Sequence, residues 1–139
     1  DGTILPDLPL NEFENEYKDI FLKSNLHNIL LITPQTSETR IRQIDEACSG
    51  FIYMVSSSST TGAGKKVEDF QKSYFERIQH MNLKNPRLIG FGISDNATFA
   101  NACNYANGAI IGSAFVKSFN PELKLKESIS VFVKEIRNP

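Results

Sequence analysis

Three glycine-bearing turns carry most of the chemistry available to this sequence: Thr61-Gly62, Gly90-Phe91-Gly92-Ile93-Ser94 and Gly112-Ser113. Glycine has no Cβ, so the amides around it can approach an anion closely, and a helix that starts just beyond adds its positive end. Taken singly, each turn is equally explained as a tight bend in the chain. Taken together, at equivalent places in successive units, they favour a shared phosphate site. The usual acid-base and metal chemistry has few carriers. His27 and His80 fall in helix-end or connecting segments without partners and read as solvated surface. Cys48 and Cys103 are far apart, show no C-x-x-C spacing and have no neighbouring histidine, so neither a zinc site nor a disulfide framework is indicated.

The turns need elements to hold them. The apolar stretches 2–6, 28–33, 51–55, 87–91 and 109–112 are short and nearly continuous, as expected of parallel strands buried on both faces. Between them the apolar residues take helical spacing: Phe13, Tyr17, Ile20 and Phe21; then Ile41, Ile44 and Cys48; then Val67, Phe70, Tyr74 and Ile78. Ile129, Phe132, Val133 and Ile136 form one face of a last helix. Asn11 followed by Glu14 predicts the start of the first helix. The alternation gives about five parallel strands and five helices, at roughly 25 to 30 residues per unit. In such folds ligands bind at the C-terminal strand edge, where the three turns fall. A complete (β/α)8 barrel needs roughly 250 residues, and 139 is a little over half of that.

Composition narrows the partners. Fifteen basic and 16 acidic residues, spread without a block of one sign, leave no electrostatic case for nucleic acid or an anionic membrane. No run of about 18 apolar residues is present to span a bilayer and no leader directs export, so a reducing cytoplasm fits best.

The stretch Gly50 to Ser56, a hydroxyl-rich loop ending Thr61-Gly62-Ala63, then Gly90 to Ser94 and Gly112 to Val116, resembles the tryptophan synthase alpha subunit in order and spacing. The opening residues 4–9 are similar to that family's fourth strand and the loop after it. The resemblance covers essentially the whole chain. It implies a single partial domain over 1–139, the C-terminal portion of a (β/α)8 TIM barrel from the fourth strand to the last helix. It also implies a lyase of tryptophan biosynthesis that cleaves indole-3-glycerol phosphate to indole and glyceraldehyde 3-phosphate without metal or organic cofactor. The family's phosphate-holding amides correspond to Gly62, Phe91, Gly92, Gly112 and Ser113, with the Ser113 hydroxyl as a further donor. Its indole pocket corresponds to Ile4, Tyr53 and Ile110, and Thr61 to the threonine of a loop that closes over substrate. Ile4 and Ile110 would be buried in any barrel, and Tyr53 could serve packing alone.

The departures are specific. Where the family's loop carries Arg-x-Gly-Val, Ser57, Ser59 and Thr60 stand here, which puts loop closure and communication with a partner subunit in doubt. The family's catalytic glutamate and aspartate correspond to positions upstream of Asp1. Asp7 is the one acid at a strand end and matches a non-catalytic position, so no residue of the chain is assigned as catalytic. The expected partners are the sugar phosphate, a tryptophan synthase beta subunit, and either an N-terminal half barrel or a second copy. The alternative is a non-catalytic phosphate-binding half barrel that self-associates.

Overall fold

The computed structural model describes residues 1–56 and 64–138, and along 64–69 the helical backbone alone. Five strands, β1 (Gly2–Ile4), β2 (His27–Ile32), β3 (Ile52–Val55), β4 (Arg87–Gly90) and β5 (Gly108–Ile110), form one sheet. Their spatial order is their chain order, and all four pairings are parallel. Parallel neighbours need a crossover, and helices fill those crossovers, as in the wall of a (β/α)8 barrel. Because every strand runs the same way, the residues after β3, β4 and β5 share one edge of the sheet.

The helices are α1 (Leu10–Glu12), which continues through a π turn (Phe13–Tyr17) into α2 (Lys18–Lys23), then α3 (Glu38–Ala47), α4 (Gly64–His80), α5 (Asn96–Cys103), α6 (Ser113–Lys117) and α7 (Leu125–Arg137). Among the described residues, side-chain caps start α3 and α5. The Ser37 hydroxyl accepts from the Arg40 amide at the start of α3, and Asp95 forms a reciprocal capping box with Thr98 at the start of α5. Those hydrogen bonds hold the exposed Asp95 carboxyl below its ordinary range, the Thr98 amide contributing most.

Several boundaries differ from the expectations. The first helix starts at Leu10 with Pro9 as its cap, and Asn11 lies inside it with no capping bond. Proline's fixed φ and missing N–H cost nothing at a helix entrance, so Pro9 can mark the start without a side-chain acceptor. The π turn breaks the helical stripe drawn through Phe13, Tyr17, Ile20 and Phe21, since its wider repeat shifts the residues that follow. Phe13 and Phe21 are buried with rings edge to face at 5.3 Å, whereas Tyr17 and Ile20 are exposed. After β5 the chain forms two helices rather than one.

Burial on both faces holds for β2, where Asn28, Ile29 and Leu30 are buried in succession, but not for β3. Along β3, Ile52 and Met54 are fully buried while Tyr53 and Val55 are half-buried. Leu30, Ile32, Ile52, Met54 and Ile89 join Ile41, Ile44, Tyr74, Phe75 and Ile78 in one core between sheet and helices. Fully burying a side chain of this size contributes roughly 1.5–3 kcal/mol, so this layer holds the strands in register. Helices pack on that face, and the alternate residues of β3 look away from them. On α7, Phe132 and Ile136 are buried, but Ile129 and Val133 remain about two-fifths exposed, at 37% and 42%. Among the described residues no helix is long and apolar enough to cross a membrane.

Candidate functional site

The strand-end turn after β4 holds two consecutive residues of positive φ. Phe91 has φ 70° and Gly92 φ 75°. Glycine adopts such angles freely, but a bulky aromatic residue does so at a cost of about 1–3 kcal/mol unless its surroundings hold it. Two neighbours do so. The Phe91 ring meets Tyr53 at 6.0 Å in a tilted edge contact, and the buried Ser56 hydroxyl lies 2.7 Å from both the Gly90 and the Phe91 carbonyl oxygens. The Ser56 amide also donates to the Gly90 oxygen at 3.2 Å, extending the β3–β4 ladder by one bond. Gly90 has to be glycine, because a Cβ there would collide with the Tyr53 ring.

A cavity of about 420 Å³ opens beside this turn. Of the residues expected at a site, Tyr53, Phe91, Gly92, Ile110, Gly112 and Ser113 all line it. They come from β3, the turn after β4, the end of β5 and the start of α6, and the parallel register Tyr53↔Leu88 and Gly90↔Ile110 brings them level. A Cβ added at Gly92 or Gly112 meets nothing within 4 Å, so both glycines border open space rather than packed protein. Burial raises the Tyr53 phenol above its ordinary value. No carboxylate is among the lining residues, and Lys117 supplies the formal charge there.

Other expected residues lie apart. Ile4 stands on the edge strand β1, two strands from Tyr53 and 44% exposed, and does not line the cavity. Gly62 and Thr61, with the departures at Ser57, Ser59 and Thr60, lie outside the described residues. Asp7 is exposed in the turn before α1. His27 is the first residue of β2, and His80 ends α4 with Nδ1 at 2.6 Å from the Glu76 carbonyl oxygen. Neither touches the cavity. No group of three or more histidine, cysteine or acidic side chains converges among the described residues.

The chain as a whole has counterparts among known proteins. A sequence model for the tryptophan synthase alpha chain matches residues 1–138. The chain belongs to the tryptophan synthase alpha chain family. The tryptophan synthase alpha chain of Flavobacterium johnsoniae is 55% identical over 137 residues, which are 99% of this chain and 53% of that relative. The chain therefore spans about half the length of the curated relatives it matches. Among solved structures, tryptophan synthase subunit alpha from Campylobacter jejuni superposes with a TM-score of 0.76 at 26% identity, over 97% of this chain and 53% of that one. A chain of the tryptophan synthase complex from Pyrococcus furiosus gives 0.73 at 25% identity, over 98% and 53%.

Two residues of the site escaped the sequence reading. Lys117 reaches the cavity because it falls four residues after Ser113 on the same helix, a spacing that returns to the same face. Ser56 entered the sequence reading only as the last residue of the stretch that starts at Gly50. Its burial and its two carbonyl contacts depend on how β3 lies against the end of β4.

Proposed function

We propose that this chain forms the phosphate-holding and indole-facing wall of an enzyme that splits indole-3-glycerol phosphate into indole and glyceraldehyde 3-phosphate. The observation that carries the reading is the convergence of Tyr53, Phe91, Gly92, Ile110, Gly112 and Ser113 on one cavity in a chain of this family. The amides of Phe91, Gly92, Gly112 and Ser113, the Ser113 hydroxyl and the Lys117 ammonium favour a dianion. With only five residues, α6 adds little dipole, so the donors themselves carry the affinity. Tyr53 and Ile110 offer the apolar wall for a flat ring. Gly62 and Thr61 are assigned to the same phosphate and to a closing loop on the strength of the family resemblance, and Ile4 to the far side of the indole pocket.

In the reaction, the bond between the indole ring and the glycerol carbon breaks. The ring carbon gains a proton, and the neighbouring hydroxyl loses one as it becomes the aldehyde. Both transfers need positioned acid-base groups, worth about 10²- to 10⁴-fold each. Among the described residues the cavity wall holds no carboxylate, and on this reading the chain binds and orients while the proton chemistry is assigned to residues outside it. The curated relatives are about twice as long, which leaves room for that contribution. A tryptophan synthase beta subunit is the proposed protein partner, supported by the Pyrococcus furiosus complex. The cytoplasm is the proposed compartment, which suits the two free thiols.

Gly112→Val tests the site. A Cβ there meets nothing within 4 Å, so the branched group enters open space on the anion's approach. Titration with glyceraldehyde 3-phosphate should lose its chemical-shift changes at Gly92 and Ser113 in the variant, and affinity should fall by about tenfold or more. Equal binding by the folded variant rules out this placement of the phosphate.

A further inference from the structure

We propose that Ser56 is a positioning residue whose hydroxyl sets the direction of the two amides that hold the phosphate, an assignment that rests on the phosphate reading above. In a regular strand, successive carbonyls point to opposite neighbours. After β4 they do not. The Gly90 and Phe91 carbonyl oxygens both turn toward Ser56, at 2.7 Å each, on the β3 side. All peptide bonds among the described residues are trans, and a planar trans peptide sets its N–H antiparallel to its C=O. Holding those two carbonyls toward β3 therefore directs the next two amides, Phe91 and Gly92, together toward β5. Gly112 and Ser113 follow β5 there, on the cavity that Phe91 and Gly92 also line. Successive amides facing one way make an anion-binding concavity, and this one requires the positive φ that Phe91 shows.

The position of Ser56 suits the task. It is 7% exposed, follows β3 directly and bonds through its own amide to the Gly90 oxygen, so its hydroxyl is fixed relative to β4. It borders a second cavity of about 170 Å³, which Phe91 and Gly92 also line, and is absent from the wall of the phosphate cavity. It acts through the turn and does not touch the ligand. The Oγ carries one proton, which the two carbonyls share, and only a side-chain hydroxyl of this reach can bridge them.

The experiment uses the intact protein with three substitutions, Ser56→Ala, Ser56→Thr and Ser56→Val, and three readouts: affinity for inorganic phosphate, affinity for indole, and the Phe91 amide-to-Hα scalar coupling that reports φ. One hydrogen bond of this kind corresponds to about a three- to tenfold change in an equilibrium constant. Ser56→Ala and Ser56→Val should weaken phosphate by about that factor, leave indole affinity within about twofold and move the Phe91 coupling toward that of an extended residue. Ser56→Thr, which keeps the hydroxyl, should retain both the phosphate affinity and the coupling. If Ser56→Ala fails to fold, the Thr and Val variants, nearly equal in size, decide the matter between them. Wild-type protein that binds phosphate with Ser56→Val binding as tightly as Ser56→Thr overturns the role of Ser56 and leaves the phosphate site standing. Wild-type protein that shows no phosphate shifts at Gly92 and Gly112 overturns both.

Discussion

At Gly90 the chain has room for a hydrogen and nothing larger, because the Tyr53 ring lies where a Cβ would stand. The same ring meets Phe91, so one aromatic side chain braces both the strand end and the strained residue after it. Gly90→Ala should push Tyr53 off its rotamer and cost about 1–3 kcal/mol of stability, as overpacking generally does. Tyr53→Ala removes the obstacle at its own cost in lost packing. The two changes should therefore couple: in urea denaturation of the double variant, the combined loss should fall short of the sum by about 0.5–3 kcal/mol. Strictly additive losses would mean that the Tyr53 ring does not lie over Gly90 in solution.

Among the elements, α3 is tied to the segment before β4 by a buried carboxylate. Asp45 is 5% exposed and accepts from the Lys84 amide at 2.9 Å, the Asn85 amide at 3.0 Å and the Asn85 side chain at 2.9 Å. Asn85 returns a bond to the Asp45 carbonyl at 2.6 Å. Burial alone would raise the Asp45 carboxyl, but the donors from Asn85 and Lys84 outweigh it and hold the group below its ordinary value of 3.8. A depressed folded value means that the stabilisation is fully present above about pH 3.8 and is lost as pH falls through the folded value. Asp45→Asn substitutes an amide that cannot accept at both positions. It should cost about 1–3 kcal/mol at pH 7. The gap from wild type should then shrink as pH falls below 3.8, which denaturation midpoints at pH 7 and pH 3 would show. A gap that stays constant across that range would remove Asp45 from the acid response. The α4 helix performs a similar task on the far side of α3: Arg77 donates to the Pro34 and Thr36 carbonyls, and Tyr74 to the Ile32 carbonyl.

For the molecule as a whole, the sheet has two ends. β1 forms one edge, where Ile4 and Leu5 are 44% and 42% exposed, and beyond β5 Val116 and Leu125 are 68% and 64% exposed. Apolar side chains and unpaired strand edges at both ends favour association with complementary surface. The 139-residue polypeptide alone should sediment as concentration-dependent associated species and bind an apolar dye, and on the proposed division of labour it should release no indole above background from indole-3-glycerol phosphate. A dilute, dye-negative monomer would count against open edges, and indole release by the pure polypeptide, abolished in Asp7→Asn, would make Asp7 catalytic.

The alternation of short apolar runs with helical spacing determined the succession of strands and helices, the parallel sheet and the edge on which the glycine turns lie, because period and chain direction are local properties that a sequence carries openly. Glycine at 90, 92 and 112 was legible for the same reason, as turn residues after apolar runs; at Gly90 the Tyr53 ring excludes any larger residue. Other features depend on what one segment meets in another. Continuous apolar runs looked buried on both faces, yet Tyr53 and Val55 are only half-buried, since helices pack on the other face of β3. Ile4 was grouped with Tyr53 and Ile110, yet β2 lies between its strand and that of Tyr53. Phe91 gave no sign of a positive φ, because that angle is imposed by a hydroxyl 35 residues away in the chain. Composition and periodicity record what a residue prefers; the docking of β3 against the end of β4 decided where two amides point.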